Sequence, residues 1–496
     1  METMLRFLLN LLLLSTLLAN QLSSDEYLSL ADDALSRGSN ERAIEMYKAG
    51  LDSLEENASL LTLVSLETNL ASALSAVGLN EESIDHYHKA ISAYTTAMED
   101  EDTDLDEETE GFAKEIASTA SFYLGMVLQD IGEGQKAVEA YGYTIILDPK
   151  HWAALANLGS VLHDHLRNHD EALAAYNKAY EILTQTEYEP TDPPEEPRFV
   201  LSQLQYRIGL CLSHNVDRKC AVADNPETPV SCKEMATHAF ALAVKYDDTN
   251  ESAKHMLATI TADASMKRAS NQYVRELFDD YSSTFEHSLT VDLNYDGYMR
   301  LRRGFDRALG DNPNPNFSLV IDAGCGTGLV GEQFRNVSSY LIGVDLSAAI
   351  LDEAEKLRPG LYNERIVGDL TDIFRERKPI SLIIAADSYI YFGDLEPLFR
   401  AMEEGLEDKG LAAFTLENVD AETETTLNES KPDWRWQLTA SGRFAHRKEY
   451  VESIGHQHHL KVMHYESLDG FRHEHGKDVR GHLFVMAKAL SSGNEL

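Results

Sequence analysis

Basic residues are scarce in this chain of 496: 43 lysines and arginines face 83 aspartates and glutamates, a formal net charge of −40. A protein so negative has little to gain from releasing the counterions of a phosphate backbone, which disfavours nucleic acid as substrate or partner. The densest basic stretches, from Arg300 to Arg307 and from Arg443 to Lys448, are short and mixed, as solvated helix surface is. Cysteine is scarce too, and four in this length are too few for a disulfide scaffold. Cys220 and Cys232 bracket a loop-like insertion, RKCAVADNPETPVSC, and form a bridge in an oxidising compartment, with Cys211 the alternative partner; free thiols fit equally well. No apolar run is long enough to span a bilayer comfortably. Residues 7–19, FLLNLLLLSTLLA behind Arg6, have instead the length of a secretory h-region, so residues 1–22 are read as a signal peptide or hydrophobic leader. That reading places the protein in the secretory pathway or outside the cell. Glu2 and Leu17 weaken it; the alternatives are an uncleaved anchor or a leading repeat helix, and for location the cytoplasm. The tail, residues 491–496, resembles a lumenal retrieval signal only in part, and N-x-S sequons at Asn57, Asn250, Asn316, Asn336 and Asn428 do not decide the compartment. A coherent metal-ligand spacing is also missing. Histidines 456, 458, 459, 464, 473 and 475 straddle a helix end and a strand, so no metal site is expected.

Apolar content is ordinary for folded protein, at 43%, and 496 residues exceed what one hydrophobic core supports, so at least two domains are expected. The first, residues 23–266, is organised by a repeat of about 34 residues, the period of tetratricopeptide helix pairs. Its clearest copy carries Leu124, Gly125, Leu128, Gly132, Ala137, Tyr141 and Pro149, small residues where two helices cross and large ones where a gap must be filled. In the next copy Leu158, Gly159 and Leu162 fall 34 residues after their counterparts and Ala172 and Tyr176 fall 35 after theirs, implying one inserted residue in the turn. Earlier copies contain Leu30, Ala31, Gly38, Ala43 and Tyr47, then Leu70, Ala71, Leu74, Gly78, Tyr87 and Ala90. A fifth, with Gly209, Ala236, Phe240 and Ala243, is split by the cysteine insertion, and residues 251–266 cap the stack. An acidic run from Glu99 to Glu110 and a proline-bearing stretch from Glu187 to Pro197 read as linkers.

The second domain, residues 267–490, opens its chemistry with VIDAGCGTG, from Val320 to Gly328, followed by YLIGVDLS. A buried parallel strand enters a turn in which Gly324, Gly326 and Gly328 permit positive φ and close approach of a ligand. Seventeen residues beyond Gly328, Asp345 ends a second apolar run, where a carboxylate accepts two hydrogen bonds from a ribose diol. The dinucleotide fingerprint needs a similar acid, but here the third glycine comes one residue early. Asp322, two residues before the first glycine, repels a diphosphate and suits an α-ammonium group. With a third acid, Asp369 in IVGDL, the pattern favours an amino-acid nucleoside, S-adenosylmethionine, over a nicotinamide or flavin. Strands near 317–322, 340–345, 364–368, 380–386, 411–416, 460–465 and 482–488 alternate with helices such as 347–357 and 394–407, which predicts an α/β doubly wound, Rossmann-like sheet behind an α-helical repeat solenoid.

At these residues the chain resembles the class I S-adenosylmethionine-dependent methyltransferases. More narrowly, LFDDYSSTFEHSL, AADSYIYFGDLEPLF and SGRFAH resemble segments of a subgroup that carries tetratricopeptide repeats in the same polypeptide. The resemblance implies that the turn of Gly324, Cys325, Gly326, Thr327 and Gly328 faces the methionine part, that Asp345 holds the ribose, that Asp369 and Leu370 border the adenine, that Leu346 and Ala386 also line the cofactor, and that Tyr281 and Phe285, four apart, close over it, with helix packing the alternative for that spacing. Methyl transfer from a sulfonium is an in-line displacement, and a base is required only for a protonated nucleophile. Candidates for that role are His287, Asp387, Tyr391 and His446, with a packing or capping role the alternative for either histidine. Trp434 and Trp436 are offered as an aromatic substrate wall, with a hairpin anchor the alternative. The chain lacks the D/N-P-P-Y/F loop that grips planar amines. The expectation is a methyltransferase whose repeats recruit or position a protein or other acceptor; the alternative is a repeat scaffold whose methyltransferase domain only binds or senses the cofactor.

Overall fold

The computed structural model describes residues 22–54, 58–100, 105–185, 195–214, 219–222, 225–282, 284–310, 315–474 and 477–490. The leader's apolar run and the tail 491–496 lie outside them. No described helix is long and apolar enough to cross a membrane. The chain divides into two compact units after Asp247.

The first unit is a run of helices, each packed on the next: α1 (Ser24–Ser36), α2 (Asn40–Asp52), α3 (Leu60–Ala76), α4 (Asn80–Glu99), α5 (Glu107–Asp130), α6 (Gly134–Leu147), α7 (Trp152–Ser160), α8 (His169–Gln185), α9 (Glu195–Ser213) and α10 (Cys232–Tyr246). Small residues let the pairs cross closely. A Cβ on Gly125 would stand 2.6 Å from the Tyr141 ring, one on Gly159 2.7 Å from Tyr176 and one on Gly209 2.5 Å from Phe240. The buried tyrosines find partners for their hydroxyls on the preceding helix: Tyr47 donates to Asp32, Tyr141 to Gln129 and Tyr176 to Ser160. The extra residue of the 35-residue spacing is absorbed by a π-helical turn, Val161–His165, which continues α7. Between α9 and α10 the insertion forms a small hairpin, β1 (Lys219–Val222) with β2 (Asn225–Ser231), and Cys220 is bridged to Cys232. Cys211 and Cys325 are free and buried.

The unit boundary falls before the expected residue 266. Helix α11 (Glu251–Thr261), read from sequence as the cap of the repeats, belongs to the second unit because His255 stacks on Tyr273 at 4.0 Å and its Nε2 donates to the Gly442 carbonyl at 2.7 Å. The second unit continues with α12 (Asn271–Tyr281), α13 (Gly297–Leu309), β3 (Phe317–Ala323), α14 (Leu329–Phe334), β4 (Ser338–Asp345), α15 (Ala348–Leu357), β5 (Glu364–Val367), α16 (Leu370–Glu376), β6 (Ile380–Ala385), α17 (Glu396–Gly405), β7 (Leu406–Glu417), α18 (Ala421–Ser430), β8 (Trp436–Leu438), β9 (Phe444–His446), α19 (Lys448–Gln457), β10 (Leu460–Glu474) and β11 (Lys477–Lys488). Its sheet runs β10-β11-β7-β6-β3-β4-β5, parallel from β7 to β5 and antiparallel where β11 meets β7 and β10. β3 is central, with β4 on one side and β6 on the other, so the strand order reverses there and opens a crevice at the carboxyl ends. Apolar clusters cover both faces, one around Phe374, Phe399 and Phe414 and the other around Phe305, Phe334 and Leu483. That double cover is why the parallel strands read as nearly continuous apolar runs.

Candidate functional site

β3 is buried from Val320 to Ala323 and delivers the chain into the glycine turn, whose amides at Gly324 and Cys325 both donate to the Val344 carbonyl, at 2.8 and 3.0 Å. Gly324, Gly326 and Gly328 have φ of 69°, 53° and 99°. A Cβ on Gly324 would lie 2.3 Å from that of Ser388, and one on Gly326 3.3 Å from the Phe285 ring. Position 324 therefore needs glycine for space as well as for φ, whereas at Gly326 the positive φ is the main constraint. The Cys325 thiol is buried and pushed up by that burial, which fits packing rather than redox chemistry. Thr327 is buried, and its carbonyl accepts from Arg358 at 3.2 Å.

Asp345 closes β4 beside this turn. Its Oδ2 accepts from the Gly326 amide at 3.0 Å and its Oδ1 from the Ser347 amide at 3.1 Å. Burial pushes this carboxyl up while those amides oppose the shift. The Leu346 amide also bonds to this carboxylate, which has about four lone-pair sites and so retains capacity for a ribose hydroxyl. Asp322 is wholly buried; its Oδ2 accepts from the Tyr362 hydroxyl at 2.7 Å, and its Oδ1 is without a partner. Burial raises it to about 7, opposed by the Tyr362 hydroxyl and the Gly331 amide. A buried carboxyl with one unpartnered oxygen, pushed up by burial below a glycine cradle, fits an ammonium-bearing ligand, which favours its charged form. Asp369 caps α16, its Oδ1 taking the amide and hydroxyl of Thr371, while Oδ2 takes Arg268 at 2.5 Å and Asn271 at 2.8 Å. Burial pushes it up, but Thr371, Asn271 and the Arg268 charge together outweigh burial and hold it at about 2. Leu370 is buried immediately after it, and Leu346 packs with Phe278 and Tyr391.

The segment before the sheet covers the turn. Phe278 meets Phe285 and Tyr391 edge to face, with ring centroids 5.5 and 5.8 Å apart. Behind Phe285, Glu286 accepts a two-pronged bond from Arg358, at 2.7 and 3.0 Å, and the same guanidinium reaches Thr327, so the cover is latched to the turn. The side chain of Tyr281 lies outside the described residues.

On the far side of Ala386, Asp387 has φ of 56° and donates its amide to the Thr415 hydroxyl at 3.0 Å. Its carboxylate pairs with Arg472, which is 2% exposed and also pairs with Glu417 and Glu474. Arg443 bridges Glu474 at 2.5 Å and interacts with the buried Tyr391 hydroxyl. Of the four candidate proton carriers, the structure thus brings Asp387 and Tyr391 into one buried charged cluster. His446 stands apart in the core, its Nε2 donating to the Gly393 carbonyl at 3.2 Å and its ring stacked on Tyr450. Burial pushes it down to about 3, so it is neutral and enclosed, the position of a packing histidine. His287 is exposed at the end of a single turn, Phe285–His287. The tryptophans are anchors: Trp434 is buried and donates to Asn428, and Trp436 donates to the Met266 carbonyl. Of the late histidines, 458, 459, 464 and 473 pair with carboxylates. Arg268, Arg358, Tyr362, Arg443 and Arg472 escaped the sequence reading because none falls within a glycine or acid motif; the one local signal was the basic character of Arg443–Lys448, read there as surface.

A central strand ending in this turn, an acid closing the next strand and, along the main path of the sheet, β11 antiparallel to the other strands define the class I methyltransferase fold. The chain joins such a methyltransferase domain to a tetratricopeptide-repeat domain: residues 320–410 match the methyltransferase domain family and residues 122–187 a tetratricopeptide repeat family. Among curated proteins it is similar to an uncharacterized methyltransferase of Oceanobacillus iheyensis, 24% identical over 142 residues, which are 28% of this chain and 64% of that protein. It is also similar to the 18S rRNA (guanine-N(7))-methyltransferase of Bos taurus, 40% identical over 58 residues, 12% of this chain and 20% of that one. Among solved structures, the magnesium protoporphyrin IX methyltransferase of Synechocystis with bound SAH is 12% identical over 44% of this chain and all of its own, with a TM-score of 0.34. YrrB, a repeat protein with a peptide-binding site, is 16% identical over 46% of this chain and 89% of its own, with a TM-score of 0.32. At such scores these structures add nothing to the fold read from the strand order.

Proposed function

We propose that the second unit transfers a methyl group from S-adenosylmethionine to an acceptor that the repeats recruit. The observation that carries this reading is Asp345, whose two carboxylate oxygens are oriented by the Gly326 and Ser347 amides at the lip of the glycine turn. When bound, the cofactor supplies an electrophilic methyl on a sulfonium. The chain's own part is to bind, orient and exclude water. Asp345 takes the ribose diol, the turn faces the amino-acid end, Asp322 receives the α-ammonium, and the Asp369 corner, held shut by Arg268, borders the adenine. Phe285 and its Glu286–Arg358 latch keep water from the reacting centre, and alignment there supplies much of the rate. The buried cluster of Asp387, Tyr391, Arg443 and Arg472 lines the acceptor side. Asp387, already paired to Arg472, takes a proton only from an acceptor that displaces this partner, so an acceptor that needs no base is the simpler fit. Recruitment of a protein or peptide acceptor rests on the repeats, because stacked helix pairs of this kind create extended concave binding surfaces. The leader, if it acts as a signal peptide, puts this reaction in the secretory pathway, in keeping with the Cys220–Cys232 bridge.

Replacing Asp345 by Asn keeps its shape and removes its charge. The expected result is about 10- to 100-fold weaker binding of S-adenosylmethionine, the loss of about 1.5–3 kcal/mol of charged hydrogen bonding. Unchanged affinity in a variant with wild-type circular dichroism contradicts the assignment.

A further inference from the structure

The repeat unit contains a cluster that the methyltransferase reading leaves unused. His163, His169 and His214 each offer a ring nitrogen, and these three atoms lie within 4.8 Å of one another. They come from three elements: the π-helical turn Val161–His165, the first residue of α8, and the residue after α9. The His169 and His214 rings are stacked with centroids 3.8 Å apart, and His163 meets His169 at 4.8 Å. His163 is 8% exposed. Its Nδ1 is bonded to Asp164 Oδ1 at 2.7 Å, and Arg207 holds that carboxylate from α9 at 3.1 Å. Nε2 of His163 and Nδ1 of His169 are buried and have no hydrogen-bond partner.

We propose that these three histidines bind a divalent transition metal of the zinc class. Two imidazole nitrogens without partners lie together here, and a metal ion satisfies both at once. Three neutral imidazoles without a thiolate suit zinc and its neighbours rather than calcium or magnesium. Asp164 supplies the carboxylate that commonly orients a metal-bound histidine through its other nitrogen. The three nitrogens, within 4.8 Å of one another, draw closer on binding to Zn–N bonds of about 2.0–2.1 Å, and three protein ligands leave a fourth position for water. The inserted residue that made the 35-residue spacing builds the turn carrying His163, so the site exists in this copy because its periodicity is broken. A bound ion ties α8, the end of α9 and the π-helical turn together just where the hairpin interrupts the repeat.

The test is a calorimetric titration of the full chain, prepared without a histidine tag, with Zn2+ alone, backed by the visible absorption of the Co2+ form. One tight site is expected, and Zn2+ should raise the melting temperature. His214→Gln, at an exposed position and with folding checked by circular dichroism, should weaken that site at least about tenfold and abolish the cobalt spectrum; Asp164→Asn should cost about 10- to 100-fold in affinity. A protein with His456 and His459 replaced by Gln should bind as the wild type does. Absence of a tight site, binding that survives in His214→Gln, or binding lost with His456 and His459 overturns the proposal.

Discussion

At the scale of the residue, the site is governed by what burial does to three carboxyls placed within one crevice. Asp369 is surrounded by donors and held at about 2, whereas Asp322 has one hydroxyl and one amide against complete burial and rises to about 7. A folded value above the unfolded one means the native state holds the extra proton, so Asp322 makes the unliganded protein less stable as pH rises from about 4 through 7. An ammonium group against Asp322 reverses that preference. Binding of S-adenosylmethionine at pH 7 should therefore release a fraction of a proton, visible as a calorimetric enthalpy that changes with the buffer's ionisation enthalpy. In Asp322→Asn that dependence should vanish and affinity should fall; an unaltered buffer dependence contradicts the role given to Asp322. The acids were legible in the sequence because each ends an apolar run. Their partners were not: Arg268 reaches Asp369 across 101 residues and Tyr362 reaches Asp322 across 40, distances over which spacing carries no signal.

At the scale of the element, the repeats show how a local rule becomes a fold. Gly125 gives Tyr141 its room, and the same pairing recurs at Gly159 with Tyr176, which is why the period is legible in the amino-acid sequence. Gly125→Val should overpack the α5–α6 crossing and cost about 1–3 kcal/mol. Adding Tyr141→Ala should recover part of that loss, a coupling measured by denaturation of the two single variants and the double; strict additivity contradicts the contact. In the other unit, His446 and His482 are pushed down by burial to about 3 and about 4, and the His482 Nε2 donates to the His446 carbonyl at 3.1 Å. Both folded values lie below the unfolded value of about 6.5, so the stability they confer is complete above about pH 6.5 and is lost as pH falls toward 4. His482→Gln should flatten the fall in melting temperature across that window, and an unchanged slope refutes this account. The strands of the sheet centre were legible as apolar runs. The full length of β10 and β11 was not, because beyond the sheet their pairing continues through polar residues such as Arg472 and Asp478.

At the scale of the whole molecule, two units with separate cores share one acidic chain, and the sequence announced both while misplacing their junction. Helix α11 has the spacing of a repeat cap but belongs by its packing to the methyltransferase unit, since His255 is fixed by Tyr273 and Gly442, residues that no repeat pattern contains. The sheet's reversal of order at β3 puts the donor crevice where the acids are. All of this depends on the identity of the donor. The most direct measurement is a calorimetric titration of the full chain with S-adenosylmethionine beside NADH. The account predicts stoichiometric binding of S-adenosylmethionine and none of NADH; no binding of S-adenosylmethionine, or a preference for NADH, contradicts it.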